Sequence, residues 1–368
     1  LSHSDIDAVS TLTIDLGAVK ANFRLCQSIS KARIGASVKA NAYGLGADQI
    51  IPALAGAGCR DFFTATVEEA IAARRHGADS AVYVLGGYYI DDPGVYDAHN
   101  IIPILNSLDM VDRWNVAAKR AARHFPAVIH FDTGLNRLGL GAEETKTLLG
   151  APETFTSHLD LRMVMSHFAA SDEKDHPLNA LQAGRFADIA RHFPAAEKSM
   201  CNSSGLFRFP DAHYNLARCG YALYGGNPTP EMKNPMRPVV SLAARVLQVR
   251  RVKAGESIGY NATHRFETDS ETVTVAVGHG DGFSRQGSDR AKLYWNGQPC
   301  PVRGRVSMDL VCVETGHLPP PARPQVGDWL EILGPHQDID ALGEGLGTIG
   351  YEVLTCLGDR YKRTYIKD

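Results

Sequence analysis

Between residues 33 and 220 of this 368-residue chain, short β-branched runs alternate with amphipathic helical stretches through eight successive units. Strand candidates end near Lys39, Thr64, Leu85, Leu105, Asp132, His167, Asn202 and Arg218. Between them, Val67 to Arg75 and Leu108 to Ala122 show the plainest helical spacing of apolar residues. Parallel strands need a long crossover, usually a helix, and eight strand-then-helix units in a row specify a (β/α)8 barrel. Functional residues of such barrels gather at the C-terminal ends of the strands, so Lys39, His167 and Arg218 are expected at one mouth. A doubly wound open sheet is the alternative, but no G-x-G-x-x-G follows the first strand.

Pro228 to Pro238, rich in proline and charge, reads as a linker. Beyond it the apolar period changes to two, in Val239–Val252, Thr272–Val277, Lys292–Trp295, Pro299–Arg305, Val311–Glu314 and Trp329–Leu333. The expected fold is therefore α/β: a barrel over residues 12–235 and a C-terminal antiparallel β domain over 236–368. Residues 1–11 are free to pack with the second domain.

Thirty-eight basic residues nearly balance 41 acidic ones, and no basic stripe is interleaved with aromatics, so nucleic acid is not an expected partner. No window approaches the run of about eighteen apolar residues that a membrane span requires. Leu1 to Asp7 is polar and acidic where a signal peptide is basic and then apolar, which places the expected site of action in the cytoplasm. Seven scattered cysteines form no C-x-x-C, and neither H-x-x-x-H nor H-E-x-x-H occurs. Reduced thiols and no metal site are the expectation.

Chemistry is concentrated in a few segments. In Ser37-Val38-Lys39-Ala40-Asn41-Ala42-Tyr43-Gly44, a lone lysine closes an apolar strand. Lysine is costly to bury, and an amine so placed can form a Schiff base while the Tyr43 hydroxyl reaches an anionic group. A lysine snorkelling at a strand end is the plain alternative. Arg137 follows the fifth strand, His167 ends the sixth, and Asn202-Ser203-Ser204-Gly205 follows the seventh with small hydroxyls and free amides suited to a phosphate. Arg218 precedes Gly220-Tyr221, and Gly259-Tyr260 and Ser307-Met308-Asp309 interrupt the β domain. Taken singly, each has a structural explanation: a core histidine, half of a salt bridge, a turn serine, a strand tyrosine. Their shared position after successive strands joins the barrel residues into one constellation.

In this order, from about residue 12 to 365, these segments resemble the alanine racemases, enzymes of pyridoxal phosphate (PLP) built on a barrel and a β domain. The resemblance implies that Lys39 carries PLP as a Schiff base. It further implies that Tyr43, Ser203 and the backbone of Gly220 and Tyr221 hold the phosphate, with Asn202 beside them and Tyr351 closing over it. His167 would lie by the cofactor ring, Arg137 would bond its phenolic oxygen and reach the substrate, and Arg218 would face the ring nitrogen. Tyr260 would be a second base reaching into the partner subunit of a homodimer, and the Met308 backbone would meet the substrate carboxylate. Asp172, His279, Arg285, Arg305 and Asp309 would line the entry corridor. The implied reaction interconverts L- and D-alanine and supplies D-alanine for cell-wall synthesis.

Racemisation takes a proton from one face of Cα and returns it on the other, so two bases are needed. Lys39 would serve the D side and Tyr260 the L side. A tyrosine ionises near about 10, so as a base it needs cationic neighbours. A guanidinium at the ring nitrogen only donates, which leaves that nitrogen unprotonated and limits stray reprotonation on the cofactor. Two positions depart from the family pattern. His130 stands where many relatives carry a carbamate-forming lysine that braces the arginine, so the orientation of Arg137 must come from elsewhere, with a chloride, a water or His130 itself as candidates. The plain alternative is that His130 only fills the barrel interior. His279, in Gly278-His279-Gly280-Asp281-Gly282, replaces a gate tyrosine. A broad-specificity amino-acid racemase is therefore the alternative on the same scaffold. A PLP-dependent decarboxylase is disfavoured by Arg218, and a barrel-only PLP carrier by the β domain with Tyr260.

Overall fold

A computed structural model describes residues 8–76 and 79–367. Residues 1–7, part of the segment expected to be free to pack with the second domain, lie outside that range. Eight strands form the barrel: Arg33–Ser37, Asp61–Thr64, Ala81–Val84, Ile101–Leu105, Phe125–His130, Leu159–Met165, Glu197–Ser199 and Leu216–Cys219. Neighbours along the sheet pair in parallel, and the first strand pairs with both the second and the eighth. The remaining seam is drawn together by Asn215 N to Lys198 O at 3.1 Å and Arg218 N to Cys201 O at 2.9 Å. The alternation of apolar runs and amphipathic helices thus closes a barrel and not an open sheet.

Local chemistry starts the helices where the spacing puts them. Thr66 caps Val67–Arg74 by accepting from Glu69 N, and Ser107 caps Leu108–Arg120 by accepting from Met110 N. Inside the barrel, Phe63, Tyr83, Ile104, Val128, Met163 and Met165 fill the interior below the mouth. Phe63 and Tyr83 stack at 4.6 Å. Arg33 ties the opposite end shut, with both nitrogens on Glu197 at 2.6 and 2.8 Å and Nε on Asp61 at 3.3 Å.

Several strand ends differ from expectation: the fifth, sixth and seventh strands stop at His130, Met165 and Ser199, short of Asp132, His167 and Asn202. The first strand stops at Ser37, because Lys39 already belongs to a turn. The last strand runs past Arg218 to Cys219, so Arg218 points from within the sheet and not from its end.

The second sheet is organised by the long strand Val240–Val252, which pairs antiparallel with Ser10–Asp15, Ser270–Val275 and Trp329–Leu333. Ser10–Asp15 therefore lies in the second sheet before the chain enters the barrel. Its other edge pairs in parallel with the C-terminal strand Lys362–Ile366, the parallel exception in a mostly antiparallel domain. The period-two pattern does not announce that strand, nor the helices Ile339–Gly345 and Gly350–Thr355. The proline-rich stretch 228–238 is not a free tether. The buried Asn22 side chain donates to Arg237 O at 2.9 Å and accepts from Arg237 N at 2.7 Å. Among the described residues, no helix is long and apolar enough to cross a membrane.

Candidate active site

The lysine sits on an uncommon piece of backbone. Ala40, Asn41, Ala42 and Tyr43 have φ of 51, 54, 54 and 56°, so the chain makes a left-handed turn immediately after Lys39. For L-residues with a Cβ this conformation costs about 1–2 kcal/mol each, and it persists only where the surroundings hold it. Gly44 N bonds Ala40 O at 2.7 Å, and Gly46 N bonds Asn41 O at 3.0 Å. Glu69 fixes the turn's start by accepting from Ala40 N at 2.6 Å and from Ala65 N at 2.8 Å. Gly44 has φ of 80°, and a Cβ there would lie 2.3 Å from Leu354 O, so no other residue fits. The turn places Lys39 and Tyr43 on one side, facing the barrel mouth. Burial, and then the Arg137 charge, pull the Lys39 ammonium below its usual range, with Glu69 opposing.

Lys39 and Tyr43 line a cavity of 740 Å³, a size usual for small-molecule sites. Arg137, His167, Asn202 and Ser203 line it from the loops after the later strands, joined by Arg218, Gly220 and Tyr221. Tyr351 comes from helix Gly350–Thr355 of the second domain. It stacks on Tyr221 with ring centroids 3.8 Å apart, while the Tyr221 hydroxyl donates to Asp340 at 2.6 Å. Burial, then Asp340, raise the Tyr221 phenol, which stays a donor. Asn202 accepts from Gly205 N at 2.9 Å and so caps the helix that presents Ser203. Ser203 Oγ accepts from Gly220 N and Ala222 N, each at 3.2 Å, which leaves its own hydrogen free to donate into the cavity.

Arg218 is buried under the cavity floor. Its guanidinium donates to Ser166 O at 2.6 Å, to the Ser199 hydroxyl, and to His167 Nδ1 at 3.2 Å. A guanidinium cannot accept, so His167 Nδ1 carries the lone pair and Nε2 carries the proton. Burial and then the Arg218 charge hold His167 well below the usual imidazole range, so it is neutral. Burial brings Arg218 down to about 10, which leaves it charged at neutral pH.

His130 also lines this cavity. Asn106 Nδ2 is committed to Leu85 O at 2.9 Å, so Asn106 Oδ1 is the atom facing His130 Nδ1 at 2.8 Å. His130 must donate from Nδ1, and its Nε2 is an acceptor. Burial, reinforced by Arg218, pushes it down to about 3. The native state thus binds His130 without a proton that the unfolded chain takes up below about 6.5. Between those values the unfolded state holds more protons, so stability rises with pH and is lost on acidification. Urea unfolding of the cofactor-free protein is expected to show stability falling from pH 7 to 5, by up to about 1.4 kcal/mol per unit for His130. His130→Asn should lessen that slope and leave the part due to the similarly buried, neutral His167, and an unchanged slope in the variant would contradict the assignment.

The remaining expected residues lie elsewhere in the single chain. Asp172 borders an adjoining hollow of 630 Å³ that shares Arg137, His167 and Tyr351 with the cavity. His279 lines a hollow of 420 Å³ with Glu352, which also borders the Lys39 cavity, and Cys356. Tyr260 and Met308, 66% and 60% exposed, do not border the Lys39 cavity. Arg285 is exposed, and Arg305 is half-buried with its Nε lacking a partner among the described residues. Asp309 is held by Arg360 Nη1 at 2.6 Å, and Arg360 Nε reaches Asp281 at 2.7 Å, joining the loops of His279 and Met308.

Sequence reasoning missed Glu69, Asn106, Asp340 and Arg360. Glu69 reads locally as a helix-start acid after Thr66, and the others act across gaps with no local signal.

The cavity suits an anionic aromatic aldehyde. Lys39, Arg137 and Arg218 face it against one carboxylate, Glu352, and the Tyr43 and Ser203 hydroxyls meet at Gly220. A Cβ at Gly220 would lie 2.3 Å from the Tyr43 hydroxyl, so the glycine keeps that cradle open. Among the described residues no group of His, Cys, Asp and Glu is placed to hold a metal.

Comparisons with known proteins agree with this geometry. Sequence profiles of the alanine racemase N-terminal and C-terminal domains match residues 14–228 and 239–365. The chain is 46% identical over 353 residues to the alanine racemase of Acidiphilium cryptum, covering 96% of this chain and 98% of that protein. It is 44% identical over 374 residues to the alanine racemase of Rhodospirillum rubrum, covering 99% and 98%. Among solved structures, Bartonella henselae alanine racemase with covalently bound pyridoxal phosphate matches with a TM-score of 0.94 at 36% identity, covering 98% of this chain and 100% of that one.

Proposed function

The chain belongs to the alanine racemase family, and on that premise we propose that it interconverts L- and D-alanine with PLP and supplies D-alanine for cell-wall synthesis. The observation that carries the assignment is the single cavity shared by Lys39, Tyr43, Arg137, His167, Ser203, Arg218 and Tyr351.

When bound, PLP supplies the electron sink that makes the substrate Cα–H acidic. Lys39 holds the cofactor, and its lowered ammonium range favours the neutral amine that can attach it and move a proton at Cα. Tyr43 and Ser203 donate to the phosphate, with the Gly220 backbone giving it room. Arg218 presents only N–H groups toward the ring nitrogen, and neutral His167 lies beside the ring without adding charge. Arg137 bonds the phenolic oxygen and the substrate. His130 Nε2 offers an acceptor in the same cavity, in the place of a carbamate.

The second base is Tyr260 of the partner subunit. Supporting this, Tyr260 and Met308 both project from the β domain, exposed and away from the chain's own Lys39 cavity. A homodimer arranged head to tail covers them and completes each site, with Met308 N at the substrate carboxylate. Asp172, His279, Arg285, Arg305 and Asp309 form the corridor between the two chains. The cytoplasm suits the seven free cysteines, which remain reduced there.

A chiral assay of PLP-loaded protein against L-alanine, L-serine, L-lysine and L-arginine tests the reading. Alanine is expected to racemise at least about tenfold faster than the others, the scale on which a fitted pocket separates side chains. Comparable rates on the larger amino acids would replace it with a broad-specificity racemase whose corridor is widened at His279. Carbon dioxide without D-product would overturn both.

A further inference from the structure

The left-handed turn that carries Lys39 is clamped from outside the barrel. In the C-terminal strand Lys362–Ile366, the half-buried residues are Arg363 and Tyr365, in register with Leu12 and Ile14 of the neighbouring strand. Arg363 Nη1 donates to Gly44 O at 2.6 Å, and Nη2 donates to Gly358 O at 3.2 Å and Leu357 O at 3.3 Å. Two positions along, the Tyr365 hydroxyl donates to Leu45 O at 3.0 Å. A Cβ at Gly46 would lie 2.2 Å from that hydroxyl, so the strand lies directly against the turn.

One guanidinium therefore joins two pieces of the site. Gly44 ends the strained turn of Lys39 and Tyr43, and Leu357 and Gly358 follow the helix that delivers Tyr351. Neither Arg363 nor Tyr365 lines the cavity. Four successive left-handed residues with side chains relax unless held; Ala40 O, Asn41 O and Ala42 O accept from backbone amides of the turn itself, whereas Gly44 O and Leu45 O at its exit accept from Arg363 and Tyr365.

We infer that Arg363 is a positioning residue: from the second domain it holds the left-handed turn in place and so aims the Lys39 amine and the Tyr43 hydroxyl at the cofactor. This rests on the PLP site proposed above. It makes the C-terminal strand part of the cofactor site although nothing on it touches the cofactor.

The test compares Arg363→Met, Arg363→Lys and Tyr365→Phe with the native chain. Each is stripped of cofactor, titrated with PLP, and examined by visible circular dichroism, which reports how the bound cofactor is oriented. Arg363→Met is expected to weaken PLP binding about tenfold or more and to diminish the visible dichroism. Arg363→Lys should restore part of both, and Tyr365→Phe should shift both in the same direction by less. Native affinity and native dichroism in Arg363→Met would overturn the inference. So would a fall in the melting temperature of the cofactor-free protein with PLP affinity unchanged, since Arg363 would then be a structural tie. If the native chain bound PLP yet failed to racemise alanine, the functional reading would fall and this test would still decide.

Discussion

Lys39→Ala is expected to abolish racemisation in both directions, by at least about a thousandfold, and to let PLP wash out on desalting. Lys39 is the lysine that lines the cavity, and nothing else there offers an amine. Its burial and the Arg137 charge favour the neutral form, so the proton leaves at a lower pH than from an exposed lysine. On the proposed reading the same residue holds the cofactor and moves a proton, and groups acting as a unit lose nearly everything when one is removed. Lys39→Arg should fail equally, because a guanidinium does not deprotonate at working pH and cannot form the bond. Both variants are checked by chiral product analysis together with the visible absorbance retained after gel filtration. Retained activity in either would remove Lys39 from its role.

Tyr260→Phe is expected to act on one face only. Deuterium exchange at Cα of L-alanine should fall by about a hundred- to ten-thousandfold, the range for removing a positioned acid or base. Exchange at Cα of D-alanine, served by Lys39, should persist. The hydroxyl is displayed with some care by the fold. Gly259 at φ 77°, Asn261 at 60° and Ala262 at 48° form a tight projection on the short hairpin Ser257–Ile258 and His264–Arg265. Asp289 braces it, pairing with His264 at 3.2 Å and accepting from Gly304 N at 2.8 Å. At that tip Tyr260 is 66% exposed, which leaves its hydroxyl within reach of a second chain. Equal loss of exchange from both enantiomers would mean that Tyr260 supports binding and not proton transfer.

The barrel was legible because its signal is local. Most of its strands are short apolar runs and helices such as Val67–Arg74 and Leu108–Arg120 carry their own caps, Thr66 and Ser107, which need no knowledge of what they pack on. The cavity residues were legible for a related reason: Lys39, Arg137, His167 and Asn202 each follow a strand, and the barrel turns sequence order into a ring. The left-handed turn was not legible. Ala40, Ala42 and Tyr43 have no preference for positive φ, and the contacts that hold it come from elsewhere in the chain: Glu69 at the turn's start, and Leu354 and Arg363, more than three hundred residues away, at its end. The His130 tautomer was hidden likewise, since it depends on Asn106 and on the Leu85 carbonyl that orients Asn106. The C-terminal strand Lys362–Ile366 escaped because three of its five side chains face solvent, which leaves no apolar alternation to read. Gly259-Tyr260 and Ser307-Met308-Asp309 stood out as interruptions of the β domain, but a role for Tyr260 and Met308 came through the family resemblance alone, because neither borders the Lys39 cavity of its own chain.

Mixing Lys39→Ala with Tyr260→Phe protein tests the split site most directly. Each variant alone is expected to be inactive toward L-alanine. If Lys39 and Tyr260 of different chains make one site, subunit exchange at equal amounts yields mixed dimers with one intact site in two. Recovery of roughly a quarter of native activity is then expected, since half of the dimers are mixed. No recovery, with exchange of subunits verified independently, would contradict an active site built from two chains.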